Sequence, residues 1–257
     1  MKIVVLVKHV PDVQSQRRLA DGVLVRGEDD VLNELDENAV EAAVQLAEAH
    51  GGEVVAVTMG PEDAADGLLS ALQRGADRAL HVCDDRLAGS DVVSTAKVLA
   101  AAIRSLGEVD LVLTGMASLD GLTTMLPGAL AAVFGWPSLT LAASLEVAAG
   151  RATIVRSADG FTDRLSAPLP AVVSVTDQVN EPRYPNFAAL KAARKKPLDT
   201  VDLDDLGLAP QGLGAATAHV AATEAASRGG GPVLSGPTAP AQLVSFLRER
   251  GLVAKEK

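Results

Sequence analysis

The chain has 257 residues, enough for one substantial α/β domain with appendages or for two small domains. Its formal charge of −10 and its 2 % aromatic content argue against a polyanion as main partner and against base-stacking surfaces, so no nucleic acid is expected. The single cysteine, Cys83, excludes an intramolecular disulfide, and the apolar run Ile3–Val7 is too short for a signal peptide or a membrane span; no membrane insertion and a cytoplasmic location are expected.

Residues 3–8 are a β-branched run of the kind covered on both faces of a sheet. A polar Arg/Asp/Gly-rich loop fills 11–32. Asn33 or Asp36 then caps a helix over about 36–49, with Ala39, Val40, Ala43, Val44 and Leu46 on one face and Gly51-Gly52 at its end. Strand 53–59 closes on Gly60-Pro61, a helix follows over 64–74, and Arg78–Val82 is a short strand. A helix over 90–106 leads into strand 110–114, and Thr123–Phe134 reads as the next helix. Short strands at 144–147, 153–157 and 162–166 form a small antiparallel excursion before the last core strand, 171–175. Past Leu208 the composition turns to Ala, Gly, Thr and Pro, and helical periodicity returns over 240–251.

This alternation predicts an α/β, doubly wound parallel sheet, Rossmann-like, with a small antiparallel excursion and an extended C-terminal arm. The domain is placed at 1–208, and 209–257 is read as a flexible linker and arm with a short helix. Ligands should sit beyond the carboxyl ends of the strands, which singles out Leu6, Val7 and Lys8, Met59-Gly60 and the stretch from Gly115 onward.

Gly115-Met116-Ala117-Ser118-Leu119-Asp120-Gly121-Leu122-Thr123-Thr124-Met125 runs from a strand end into a predicted helix. Free amides in a first helical turn favour an anion, and Ser118, Thr123 and Thr124 add hydroxyls. There is no Walker lysine and no GxGxxG, and many such turns are Gly/Ser/Thr-rich for capping alone. The histidines His9, His50, His81 and His219 show no metal-ligand spacing, and no catalytic constellation is recognisable; no metal is expected.

The segment Asn180-Glu181-Pro182-Arg183-Tyr184-Pro185-Asn186-Phe187 gathers the only tyrosine and leads into Lys191-Ala192-Ala193-Arg194-Lys195-Lys196. It reads either as an exposed docking loop or as a surface loop holding a buried Phe plug.

Asn-Glu-Pro-Arg-Tyr-Pro with its apolar and basic continuation resembles the β subunit of electron transfer flavoproteins. Val7-Lys8-His9-Val10-Pro11-Asp12, Gly75–Val82, Leu169–Val175 and Asp205-Leu206-Gly207-Leu208 match in the same order. The resemblance implies an electron carrier subunit, not an enzyme, which pairs with an α subunit that holds most of the FAD. It implies structural AMP in this chain, with adenine and ribose near Leu6 to Lys8, Asn33, Glu34, Leu35, Asp36 and Met59. Ser118, Asp120 and Gly121 would then order the phosphate loop, Gly115 would permit close approach, and Thr123, Thr124 and Met125 would donate to phosphate. Docking to acyl-CoA-type dehydrogenases would use Tyr184 and Phe187, with Lys191, Arg194, Lys195 and Lys196 steering.

Two departures stand out. Leu122 and Thr123–Leu126 replace commonly polar or glycine positions of that loop, and Met116-Ala117 a commonly polar pair, so fewer side chains remain to donate to AMP, although amide donation survives. A pocket of the same architecture accepts a second FAD in the bifurcating branch of the family, which stays as the alternative. Arg156-Ser157-Ala158-Asp159-Gly160 carries Ser157 where the family usually has glutamate, so no role for an acid transfers there, and Asp159-Gly160 reads as a hairpin turn. Without the resemblance, a standalone adenine-nucleotide-binding α/β protein remains the rival.

Overall fold

In the computed structural model, which describes every residue except 219, 224, 227, 228 and 254–257, the opening apolar run is β1 (Lys2–Leu6), buried on both faces. The other strands are β2 (His9–Pro11), β3 (Leu19–Ala20), β4 (Val23–Leu24), β5 (Asp30–Leu32), β6 (Glu53–Met59), β7 (Arg78–Val82), β8 (Leu111–Gly115), β9 (Ser138–Ala142), β10 (Ser144–Ala148), β11 (Arg151–Ala158), β12 (Phe161–Pro168), β13 (Ala171–Val175) and β14 (Leu198–Val201). The helices are α1 (Glu34–His50), α2 (Ala65–Gln73), α3 (Val92–Ser105), α4 (Leu126–Phe134), α5 (Phe187–Ala193) and α6 (Ala239–Glu249).

Seven strands form one parallel sheet in the order β14-β7-β6-β1-β8-β13-β9. Alternate residues of β1 feed two separate layers. Ile3 and Val5 pack with Ala39, Val40 and Ala43 of α1 and Leu68 and Leu72 of α2. Val4 and Leu6 pack with Val98, Leu99 and Ile103 of α3 and Leu130 of α4. Each such Val, Leu or Ile side chain contributes roughly 1.5–3 kcal/mol on leaving water, so the strand is fixed in register from both sides. The chain winds outward from β1 through β6 and β7, then crosses back to lay β8 on the other side of β1. The two halves of the sheet therefore diverge between β1 and β8, the place where open α/β sheets bind ligands.

Four differences from the sequence reading have physical reasons. The loop over 11–32 holds two short antiparallel pairs, β2 with β5 and β3 with β4; Asp21 and Gly22 both take positive φ (51° and 76°), as a tight two-residue hairpin needs. β9 and β14 are edge strands of the main sheet that the pattern of 138–142 and 198–201 did not signal. α4 starts at Leu126, three residues later than expected. Leu122 and Thr124 adopt left-handed backbone (φ 50° and 53°), and Pro127 supplies the fixed φ of a first helical turn. The basic segment after Asn186 is helical: the Asn186 side chain accepts from the Ala189 amide and starts α5.

The antiparallel excursion is a three-stranded sheet, β10-β11-β12. Asp159 and Gly160 form its tight turn, with Ala158 opposite Phe161 and Ser157 opposite Thr162.

The chain divides into two units, 1–222 and 223–257. The first extends past Leu208 because Asp91, which caps α3, also accepts from the amides of Ala216 and Thr217, while Lys97 donates to the Gly212 carbonyl. In the second unit α6 has no buried residue, leaves Leu243 and Val244 exposed, and carries the Arg250 guanidinium over the Phe246 ring at 3.7 Å. The last four residues of the expected arm, and His219, lie outside the described residues. No described helix is long and apolar enough to cross a membrane.

Candidate nucleotide-binding site and docking segment

The carboxyl ends of β1 and β8 are held together by the start of α1. Asn33 is fully buried; its amide nitrogen donates to the Lys8 carbonyl (2.9 Å), its side-chain NH2 to the Ala117 carbonyl (3.0 Å), and its side-chain oxygen accepts from the Leu119 amide (2.9 Å). Asp36 is also buried, and one of its oxygens accepts from the Lys8 amide at 2.9 Å. Gly115 makes this junction possible: a β-carbon there would fall 2.5 Å from the Asp36 carboxylate and 2.7 Å from the Leu35 carbonyl oxygen. The glycine is a steric requirement of packing α1 onto β8.

Burial pushes the Asp36 carboxyl up to about 7, although hydrogen bonds from Asn33, Lys8 and Gly115 offset part of the penalty. The sign of its effect on stability follows. The folded state holds this proton to higher pH than the unfolded chain does, so the advantage is full below about pH 4 and is lost as pH rises to 7. The total is on the order of 4 kcal/mol. Denaturant titrations should show stability falling between pH 5 and pH 8, and Asp36→Asn should flatten that slope whatever constant offset it adds. An unchanged slope in the variant would place the proton elsewhere.

Past Gly115 the loop is ordered from within and from the 11–32 arm. Leu122 donates to the Ser118 carbonyl (2.8 Å), and Gly121 to one Asp120 oxygen (2.8 Å). The other Asp120 oxygen receives Lys8 Nζ at 2.7 Å and the Arg26 guanidinium, while Arg17 donates to the Leu119 carbonyl at 2.7 Å. The Asp120 side chain is only 2 % exposed. Its burial alone would raise the carboxyl, but Lys8 and Arg26 overcome this and hold it well below the usual carboxylate range. Two basic side chains, Lys8 and Arg26, thus meet one ionised carboxylate at the sheet's switch point, with Arg17 close by on the Leu119 carbonyl, so positive charge is in surplus there.

Gly121, Leu122, Thr123, Thr124 and Met125 are exposed. Among the described residues the amides of Thr123, Thr124 and Met125 have no hydrogen-bond acceptor, and α4 has no side-chain cap. The Thr124 hydroxyl donates to the Thr123 carbonyl at 2.8 Å. The donors named from the sequence are therefore present, but on a left-handed loop ahead of the helix and not in its first turn. Leu6 and Val7 are buried at the end of β1, Met59 ends β6, and Glu34 and Leu35 open α1 beside Gly115. Sequence reasoning missed Arg17 and Arg26; the only signal was arginine density in a loop with no assigned place.

The second cluster lies along α1 and α2. Asn180 and Asn38 exchange hydrogen bonds (3.0 Å in each direction), and Arg183 bridges Glu41 and Glu48, with Nε 2.7 Å from Glu41 and Nη1 2.8 Å from Glu48. Burial of Glu41 works against its charge, but Arg183 outweighs it and holds the carboxyl below the ordinary value. At the far end Lys196 donates to the Leu72 (3.0 Å) and Ala76 (2.6 Å) carbonyls around the C-terminus of α2. Between these anchors Tyr184 is 95 % and Phe187 82 % exposed, which rules out the buried plug. Lys191, Arg194 and Lys195 are exposed with them. Lys196 differs from the sequence expectation, because its ammonium is engaged on the protein's own carbonyls, and burial lowers its pKa.

A family model described as an electron transfer flavoprotein domain matches residues 21–206. The electron transfer flavoprotein subunit beta of Mycobacterium leprae is 40 % identical over 224 residues, 84 % of each chain, and that of Bacillus subtilis 34 % over 210 residues, 81 % of each. CarD of Acetobacterium woodii, a subunit of a caffeyl-CoA reductase-Etf complex, is 30 % identical over 262 residues, covering 98 % of this chain and all of its own. A parallel sheet with its switch point between β1 and β8 and these likenesses over most of the chain agree: the chain belongs to the electron transfer flavoprotein family, among its beta subunits.

Proposed function

We propose that this chain pairs with an alpha subunit as an electron carrier, passing electrons from acyl-CoA-type dehydrogenases to a downstream acceptor. FAD held mainly by the alpha subunit would supply the redox chemistry. AMP would sit in this chain at the β1/β8 switch point. The observation that carries the nucleotide reading is the convergence of Lys8 and Arg26 on buried Asp120 beside the unpartnered amides of Thr123, Thr124 and Met125.

Each group has a task in that reading. Lys8 and Arg26 supply charge that phosphate oxygens can share with Asp120. The loop amides donate without needing polar side chains, which accounts for tolerance of Leu122 and Met125 at exposed positions. Asn33 and Asp36 hold the loop and β1 in register so that no reorganisation accompanies binding. Tyr184 and Phe187 would enter an apolar recess on the client, with Lys191, Arg194 and Lys195 steering a brief encounter.

A second reading, FAD in place of AMP in the same pocket, draws on the full-length match to CarD. Denaturing release and chromatography of nucleotides from the chain coexpressed with its genomic neighbour separates the two. One FAD and one AMP per heterodimer is expected; two FAD selects the second reading, and no flavin with no partner overturns both.

A further inference from the structure

His9 on β2, Asp30 on β5 and Asp63 in the short 3₁₀ turn Glu62–Ala64 after β6 converge. One ligand atom from each lies within 4.8 Å of the other two. β2 and β5 pair with His9 opposite Leu32 and Pro11 opposite Asp30, so His9 and Asp30 are diagonal neighbours on one face of the ribbon. Asp63 comes from a turn fixed by the Ala64 amide donating to the Pro61 carbonyl at 2.9 Å. The three residues are far apart in sequence, which is why their spacing gave no ligand signature.

What marks the cluster is that its groups have no partner within the protein among the described residues. His9 Nδ1 is buried and has no hydrogen-bond partner. Among the described residues, neither the Asp30 nor the Asp63 carboxylate takes part in a hydrogen bond or an ion pair. The basic side chains nearby in sequence are spent elsewhere: Lys8 and Arg26 on Asp120, Arg18 on Glu28, and Arg17 on the Leu119 carbonyl. Two neighbouring carboxylates with no cationic partner among the described residues, Asp63 open to solvent, lie beside a ring that has an unpartnered buried nitrogen; together they offer imidazole and carboxylate donors to a Lewis acid.

We infer that His9, Asp30 and Asp63 form a binding site for a first-row divalent metal ion such as Zn2+. One imidazole nitrogen with two carboxylates suits such ions, whereas an all-oxygen set would suit Mg2+ or Ca2+. Bond lengths of about 2.0–2.2 Å require the ligand atoms to close from their present separation, and the exposed Asp63 side chain has the freedom to do so. The same exposure gives the ion a route in and leaves positions for water. A bound ion would clip the β2–β5 ribbon to the end of β6, next to Lys8 and the Asp120 loop. This site does not depend on which nucleotide the chain carries.

Tag-free full chain, with any subunit that copurifies, should be stripped with chelator and titrated with Co2+ while visible absorption is followed. One Co2+ per chain, displaced by Zn2+, is the expected result, and saturating Zn2+ should raise the denaturation midpoint. Asp63→Asn, at an exposed side chain, should weaken Co2+ binding at least about tenfold while leaving metal-free stability unchanged. His9→Gln should weaken it as well; should that variant fail to fold, Asp63→Asn decides alone. Absence of saturable Co2+ binding, or equal binding by Asp63→Asn and the parent, would overturn the assignment.

Discussion

Gly115→Ala should destabilise the protein by about 3 kcal/mol, a fall of about 10 °C in Tm, and should empty the proposed nucleotide site. The added methyl would lie 2.5 Å from the Asp36 carboxylate and 2.7 Å from the Leu35 carbonyl oxygen. Neither can retreat cheaply. Asp36 is buried and hydrogen-bonded to the Lys8 amide, and Leu35 is backbone of the first turn of α1. The helix start would have to lift away from β8, pulling Asn33 off Ala117 and Leu119 and loosening the loop that carries Asp120. Gly121→Ala is the matched control. Its nearest neighbour would be the Ser118 hydroxyl at 3.8 Å, an ordinary contact, so stability should change by no more than about 0.5 kcal/mol. Should Gly121→Ala keep its stability and still lose nucleotide, the ligand lies against that glycine. If Gly115→Ala is as stable as the parent by calorimetry, the packing account of the junction is wrong.

The same two glycines mark the limit of what the sequence discloses. Both belong to one Gly/Ser/Asp-rich turn and look equivalent there, yet one is walled in by α1 and the other faces open space. The distinction depends on Leu35 and Asp36, about 80 positions away. The sheet itself was legible, because β1, β6 and β13 are runs of branched residues and the helices between them carry one apolar face. Edge strand β14 was not. Leu198–Val201 exposes three of its four residues and pairs only with β7, so it has neither the run of a central strand nor clear alternation. The start of α4 was misplaced because Thr124, a β-branched residue, takes a positive φ that no propensity rule would assign it; Pro127 was the better signal. In the site, Lys8, Asn33, Asp36 and Asp120 could be named from the sequence and the resemblance, but Arg26, the second cation on Asp120, comes from a loop whose place only the folded chain defines.

On the proposed docking, Phe187→Ala should slow electron transfer from a client dehydrogenase by about thirtyfold at limiting concentrations while leaving flavin content and stability unchanged. An exposed aromatic that fills a partner's recess commonly accounts for about 2 kcal/mol of binding, and that energy converts to the stated factor. Within this chain Phe187 contributes little, since 82 % of it faces water and Ala193 is the residue by which α5 is buried. The segment can present it because both ends are pinned, by Arg183 on Glu41 and Glu48 and by Lys196 on the carbonyls around α2's end. This arrangement separates two kinds of lysine effect. Lys195→Ala should reduce the association rate and its salt dependence without affecting folding, as expected for a steering charge. Lys196→Ala should instead lower stability by about 1–2 kcal/mol by leaving the Leu72 and Ala76 carbonyls short of a donor, with little change in salt dependence. Loss of FAD in Phe187→Ala would make the residue structural, and an unchanged transfer rate would remove this face from the docking surface.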